Sequence, residues 1–204
     1  MMDNPHAQEK KDQLRAQLVE AGQRMAELGL VRGSSGNVSL RFEDGMLISA
    51  SGIPYHELAP SQIIEIDQDG KKRSGVGNPS SEWRMHAAIY QKREDAGAIV
   101  HTHSPYATAA AIARLSLPIV HDEGRILFGE KIPAASHALP GTWELADAAV
   151  EALGIGKAVL LADHGAVAVG QDMAQALLLA EKIEEMAELF WLSQAIAEDH
   201  EHTS

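Results

Sequence analysis

The amino-acid sequence predicts an α/β domain, and three observations carry that expectation. Segments with apolar residues at helical spacing alternate with short β-branched runs bounded by glycine and aspartate turns. No internal repeat or low-complexity linker divides the chain, so its 204 residues read as a single domain over 1–204. The balance of 45% hydrophobic to 23% charged residues suffices to bury a core without covalent staples. There is no cysteine, which excludes disulfides and thiolate metal sites and makes a reducing cytoplasm the expected compartment.

Each element has its own signal. Leu14, Leu18, Ala21, Met25 and Leu28 recur at helical spacing before Gly29, predicting a helix from about Gln8 to Leu28. After the polar loop Gly33 to Asn37, the runs Val38–Phe42 and Met46–Ser49 flank Asp44-Gly45, a hairpin signal. A strand over Ile63–Ile66 ends in the turn Asp67 to Gly70. Pro79-Ser80-Ser81 opens a helix carrying Trp83, Ala87 and Tyr90 on one face. Ala98–Val100 is a buried strand running into His101-Thr102-His103, followed by Ser104 as an N-cap type and Pro105 as a first-turn residue. Thr142 caps a helix to Leu153, stopped by Gly154, and strands over Ala158–Ala162 and Ala166–Val169 enclose the turn Asp163-His164-Gly165. Asp172 and Gln175 resemble a capping box for a long last helix with the stripe Ala176, Leu179, Ala180, Ile183, Ala187, Phe190 and Trp191.

Charge narrows the function. Lys and Arg number 17 against 29 Asp and Glu, a formal −12, which argues against nucleic acid or an anionic membrane as partner. Seven of the acids, Glu181, Glu184, Glu185, Glu188, Glu198, Asp199 and Glu201, read as a solvated helix face and tail. The polar start from Met1 to Asp12 has no apolar targeting segment, and no apolar run is long enough to span a bilayer. An anionic substrate would have to be held by local chemistry.

Residues two apart on a strand share a face, so His101 and His103 present two imidazoles on one side. A divalent-metal site with an open position needs a third donor, and His164 in its turn is a candidate. The alternative is a chance pair in a chain with ten histidines. Glu82, in the first turn after Ser80 and Ser81, is either an ordinary helix-start acid or, if the histidines are near, a ligand or general base. Gly33 to Asn37, Ser51-Gly52 and Ser80-Ser81 each offer N–H groups or hydroxyls to an anion, and converging they would form a phosphate cradle. His86, one turn after Glu82, could pair with it. His121, Asp122, Glu123 and Arg125 form a polar loop where a second acid or base could sit. His56 and His137 read as surface or packing residues, and His6, His200 and His202 as parts of frayed termini. Trp83, Trp143 and Trp191 read as core or interface.

The ordered motifs Gly33-Ser34-Ser35-Gly36-Asn37-Val38-Ser39, Ser51-Gly52-Ile53-Pro54-Tyr55, Pro79-Ser80-Ser81-Glu82, His101-Thr102-His103 and Asp163-His164-Gly165 together resemble the class II aldolase/adducin family. The match runs from about Leu14 to Ile196 and looks most like the family's L-fuculose-1-phosphate aldolase branch. The resemblance implies a three-layer αβα sandwich with a mostly antiparallel central sheet, assembled as a homotetramer with interface active sites. It implies His101, His103 and His164 as ligands of Zn²⁺, with Mn²⁺, Co²⁺ or Fe²⁺ as chemical alternatives. Glu82 would be the catalytic carboxylate and an occasional fourth ligand. Ser34, Gly36, Asn37, Ser51, Gly52, Ser80 and Ser81 would bind the phosphate of a small-molecule ketose 1-phosphate, cleaved to dihydroxyacetone phosphate and an aldehyde through a metal-stabilised ene-diolate.

Two departures bear on the aldehyde. Fuculose-phosphate aldolases carry a tyrosine directly after the position of His121, supplied to a neighbouring subunit's site; this chain has Asp122 there. The tyrosine-bearing tail of those enzymes has no counterpart, the last tyrosine being Tyr106. Asp122 is therefore a candidate catalytic group, and 5-deoxy- or 5-methylthio-ribulose 1-phosphate stands beside fuculose 1-phosphate as expected substrate. A methylthioribulose-1-phosphate dehydratase, a sugar-phosphate 4-epimerase, a decarboxylase and a non-catalytic adducin-like assembly module are the alternatives.

Overall fold

A computed structural model describes residues 5–202, with side chains over 8–197. Among these residues the order is α1 (Pro5–Glu27), β1 (Asn37–Phe42), β2 (Gly45–Ser49), β3 (Ile63–Asp67), β4 (Lys72–Ser74), α2 (Trp83–Lys92), β5 (Ala98–Thr102) and α3 (Pro105–Ile112). There follow β6 (Leu117–Pro118), α4 (Asp122–Phe128), β7 (Lys131–Ile132), β8 (Ala134–Ala135), α5 (Trp143–Leu153), β9 (Ala158–Leu161), β10 (Gly165–Gly170) and α6 (Met173–His202). Eight strands form one sheet in the order β4-β3-β2-β1-β5-β10-β9-β8, and β6 pairs with β7 apart from it. Every pairing is antiparallel except β8 with β9, so the sheet is mostly antiparallel, as expected.

Strand alternation sorts the core into two clusters. Val38, Leu40, Leu47, Val100, Leu160 and Ala168 join α1, α3 and α6 in one, including the stripe from Ala176 to Ala187. Ile48, Ile66, Ile99, Val159 and Val167 join Met85 and Ile89 of α2 and Leu145 and Ala149 of α5 in the other. With side chains alternating between faces, a central strand such as β5 is buried on both. Its end is thereby fixed from above and below, and that is where the histidines lie.

Several boundaries differ from expectation. The hairpin loop is Glu43-Asp44, with Gly45 already paired to Phe42. The polar segment expected as a loop at Asp122 to Arg125 is the helix α4, begun by two acids that suit a helix N-terminus. The short strands β4, β6, β7 and β8 had no period long enough to read. Ser104 occupies the N-cap of α3 but makes no capping bond; Glu184 of α6 accepts from the N–H groups of Tyr106 and Ala107, both at 2.9 Å. Glu184 is thus a cap for a neighbouring helix rather than part of a solvated face. Thr142 caps α5 as expected, accepting from Leu145 N–H at 3.2 Å. Asp172 accepts from Gln175 N–H, but the Gln175 side chain reaches Gln171 rather than Asp172. The backbones of His6, His200 and His202 fall within α1 and α6, and their side chains lie outside the described residues, as do those of Glu198, Asp199 and Glu201.

Candidate metal centre and anion pocket

The centre forms where β5 ends between β1 and β10. Asn37 faces His101 across the β1–β5 ladder, and Val167 faces it from β10. His103 follows one residue beyond β5, its N–H bonded to Leu30 O at 3.1 Å. His164 enters from the β9–β10 turn, where its N–H bonds to Leu161 O at 3.0 Å. Two glycines make room. Gly36 has φ +71, and a Cβ on it would lie 2.5 Å from the His101 carbonyl oxygen. A Cβ on Gly165 would meet Thr102 O at 2.3 Å, with the His103 ring at 3.1 Å and the His101 ring at 3.3 Å.

Glu82 sits at the N-cap of α2, one residue before the helix rather than in its first turn, and its side chain makes no capping bond. Instead it points into the histidines. Its Oε2 lies 3.0 Å from His101 Nε2 and its Oε1 3.4 Å from His164 Nε2, while His101 Nε2 and His103 Nε2 are 3.0 Å apart. The three ring centroids are mutually 4.8 Å apart. One donor atom from each of Glu82, His101, His103 and His164 falls within 4.8 Å of all the others.

This arrangement fits a divalent metal. His101 Nδ1 pairs with Ala166 O at 2.9 Å, so Nδ1–H donates to the carbonyl and Nε2 is the nitrogen that faces the other donors. Glu82 Oε1 and His164 Nδ1 are buried without a hydrogen-bond partner. Tetrahedral bonds of about 2.0–2.1 Å require neighbouring donors about 3.3 Å apart. Three of the separations, 3.0, 3.0 and 3.4 Å, lie near that value, and all four donor atoms fall within 4.8 Å of one another.

The electrostatics set the charge of each donor in the metal-free site. Burial alone would push the Glu82 carboxyl up, but the charge and hydrogen bond of His101, with His164 and Asn37, hold it well below the usual carboxylate range. Burial opposes charge on His101, yet the facing carboxylate and the Ala166 carbonyl hold its pKa above the ordinary value. Burial, with His101 and His164 beside it, pushes His103 down to about 4. Burial and His101 do the same to His164, also to about 4. Two neutral imidazoles and an ionised carboxylate are thus ready to ligate at neutral pH.

Beside this centre lies a cavity of about 370 Å³, and its wall gathers all three small-residue segments. Ser34, Gly36, Asn37, Ser51, Gly52, Ser80 and Ser81 all line it, together with Ser35, Ala50 and Pro140. Glu82, His103 and His164 form its floor on the metal side. The lining residues include no lysine or arginine. An anion here would be held by hydroxyls and amides alone, consistent with a chain of net charge −12.

The remaining candidates fall elsewhere. Asp122 lies outside this cavity, its carboxylate 97% exposed and paired with Arg125 at 2.9 Å, so a single chain does not bring it to the centre. His86 does not touch Glu82; Asn37 stands between them, donating to Glu82 Oε2 at 2.9 Å while its Oδ1 lies 2.5 Å from His86 Nε2. His56 and His137 are at the surface beside Glu57 and Asp163. Trp83 packs edge-on against Trp143 at 5.7 Å. The roles of Ser39, Tyr90 and Gly165 were missed. Period-2 alternation could have placed Ser39 on the face of Asn37, but nothing local announces the approach of Gly165 to two histidine rings.

Comparison with known proteins agrees with this geometry. Residues 16–191 match the family described as Class II Aldolase and Adducin N-terminal domain. The chain is 42% identical over 189 residues to the L-fuculose phosphate aldolase of Escherichia coli, covering 93% of this chain and 87% of that one. It is 41% identical over 185 residues to the 5-methylthioribulose-1-phosphate/5-deoxyribulose-1-phosphate aldolase of Rhodospirillum rubrum, covering 91% and 83%. A solved L-fuculose 1-phosphate aldolase superposes with a TM-score of 0.87 at 35% identity, covering 90% of this chain and 87% of that one. With its histidine and carboxylate cluster at the end of β5 and this match over most of its length, the chain belongs to the class II aldolase and adducin N-terminal domain family.

Proposed function

We propose that the chain is a metal-dependent aldehyde-lyase that splits a ketose 1-phosphate into dihydroxyacetone phosphate and an aldehyde. The observation that carries this reading is a cluster of three histidines and one carboxylate, of which Glu82, His103 and His164 form the floor of a cavity with neutral anion donors on its wall. In this reading His101, His103 and His164 hold Zn²⁺ and Glu82 shares the site until substrate arrives. The bound metal supplies a Lewis acid for the negative charge that carbon–carbon cleavage places on substrate oxygen.

The chain's own residues do the rest. Ser34, Gly36, Asn37, Ser51, Gly52, Ser80 and Ser81 hold the phosphate, which fixes the distance from the cluster to C3. In synthesis the Glu82 carboxylate takes the proton from C3; in cleavage the C4 hydroxyl releases its proton at the aldehyde end, and Glu82, protonated from solvent, delivers one to C3. The aldehyde end is served by Asp122 of a neighbouring subunit in a homotetramer, the role for which its exposed carboxylate is available. We read the architecture as a three-layer αβα sandwich, one domain over residues 1–204, working in the cytoplasm on a small sugar phosphate. No helix of the described residues is long and apolar enough to cross a membrane.

The test incubates metal-loaded protein with fuculose, ribulose, 5-deoxyribulose and 5-methylthioribulose 1-phosphates and follows dihydroxyacetone phosphate through a coupled reductase. Release that stops with chelator supports the reading and names the aldehyde. Substrate loss or isomerisation without that product would replace it with a dehydratase or epimerase.

A further inference from the structure

We propose that His86 is a positioning residue for the Glu82 carboxylate, acting through the side-chain amide of Asn37 by a one-way chain of hydrogen bonds that starts at Tyr90. The inference deepens the aldolase reading and rests on it for the role of Glu82. Its members are buried, with His86 and Ser39 at 0%, Asn37 at 2% and Tyr90 at 5% accessibility.

The direction follows from what each atom can donate. An ionised carboxylate only accepts, so the Asn37 atom 2.9 Å from Glu82 Oε2 must be the amide nitrogen. Asn37 Oδ1 is then the acceptor 2.5 Å from His86 Nε2, which must carry the ring proton. A neutral ring protonated at Nε2 has a lone pair at Nδ1, so Ser39 Oγ, 2.6 Å away, donates to it. Ser39 Oγ in turn accepts from the Tyr90 hydroxyl at 2.8 Å. The carboxylate thus dictates every donor back to the phenol. Burial, with His101 adding to it, pushes His86 down to about 3, and a neutral ring is what the chain requires.

Turned the other way, the Asn37 amide would set Oδ1 against a carboxylate oxygen, so Glu82 selects its orientation. The bond from His86 Nε2–H to Oδ1 then anchors the amide in that orientation, and Glu82 Oε2 is held by it. The arrangement arises because Asn37 and Ser39 of β1 pack against His86 and Tyr90 of α2.

The first test labels histidine with ¹⁵N in the metal-loaded protein and assigns the His86 ring by its loss in His86→Gln. The neutral Nε2–H tautomer is expected, and the Nδ1–H tautomer would overturn the proposal. In kinetics, His86→Phe should lower kcat about 10- to 100-fold, the scale of a small misplacement of a reacting group. KM for the ketose 1-phosphate and metal content per chain should stay near wild type. His86→Gln, whose amide can still donate to Asn37, should recover most of the loss. Full kcat in His86→Phe, or loss of its metal together with activity, would sink the idea. Should that variant not fold, Ser39→Ala leaves the ring without its donor and should lower kcat several-fold, with unchanged kcat counting against the proposal. If the wild-type protein releases no dihydroxyacetone phosphate at all, the aldolase reading falls, while the tautomer still decides this one.

Discussion

Glu82 and His103 lie on the same floor but should fail differently when replaced. Glu82→Gln keeps a donor atom for the metal and removes the proton carrier, so it should retain metal and lose about 100-fold or more in kcat. His103→Ala should lose the metal itself, read by elemental analysis after dialysis. His86 gives a pH signature. Its pKa is about 6.5 unfolded and about 3 folded, because burial and His101 outweigh the attraction of Glu82. Below pH 6.5 the unfolded chain binds a proton there that the folded chain refuses, so stability is full above that pH and is lost as pH falls toward about 3. In metal-free protein, the Tm advantage of wild type over His86→Gln should shrink across that window, and a constant difference would contradict the neutral buried ring. The candidate ligands were legible in sequence because strand periodicity puts His101 and His103 on one face. The pairing expected between Glu82 and His86 was wrong by one residue, since helical spacing says which side chains are neighbours but not what a facing strand inserts between them.

Among the elements, the α3–α6 contact shows where local reading stops. Ser104 carries every local mark of an N-cap, yet its hydroxyl is buried without a partner, and Glu184 binds the helix start from α6. Two charge-assisted bonds at a helix N-terminus stabilise more than a serine would. Glu184→Ala should therefore lower unfolding free energy by about 1–3 kcal/mol in urea titration. Ser104→Ala should cost much less, reversing the order that the sequence suggests. Thr142 and the α6 stripe were readable because their partners are three or four residues away. The short strands β4, β6, β7 and β8 were not, because two or three residues carry no period and their pairing is decided by distant chain.

At the scale of the whole molecule, the mostly antiparallel sheet brings residues from five distant segments together, and only the order of motifs along the chain foretold that convergence. Asp122 is exposed and absent from the cavity wall, so its proposed role depends on the proposed assembly bringing it to a neighbouring chain's centre. Asp122→Asn should lower kcat and leave metal content unchanged, and normal turnover would remove it from the reaction. The absence of basic side chains from the lining of the anion pocket has a further consequence, for diffusion. A substrate phosphate approaches a molecule of formal charge −12 and meets no lysine or arginine in the cavity to draw it in. Long-range repulsion then slows encounter, while short hydrogen bonds, which ions screen little, set the hold once it arrives. Raising sodium chloride from low to near-physiological strength should therefore increase kcat/KM, the opposite of an enzyme that steers its anion with basic side chains.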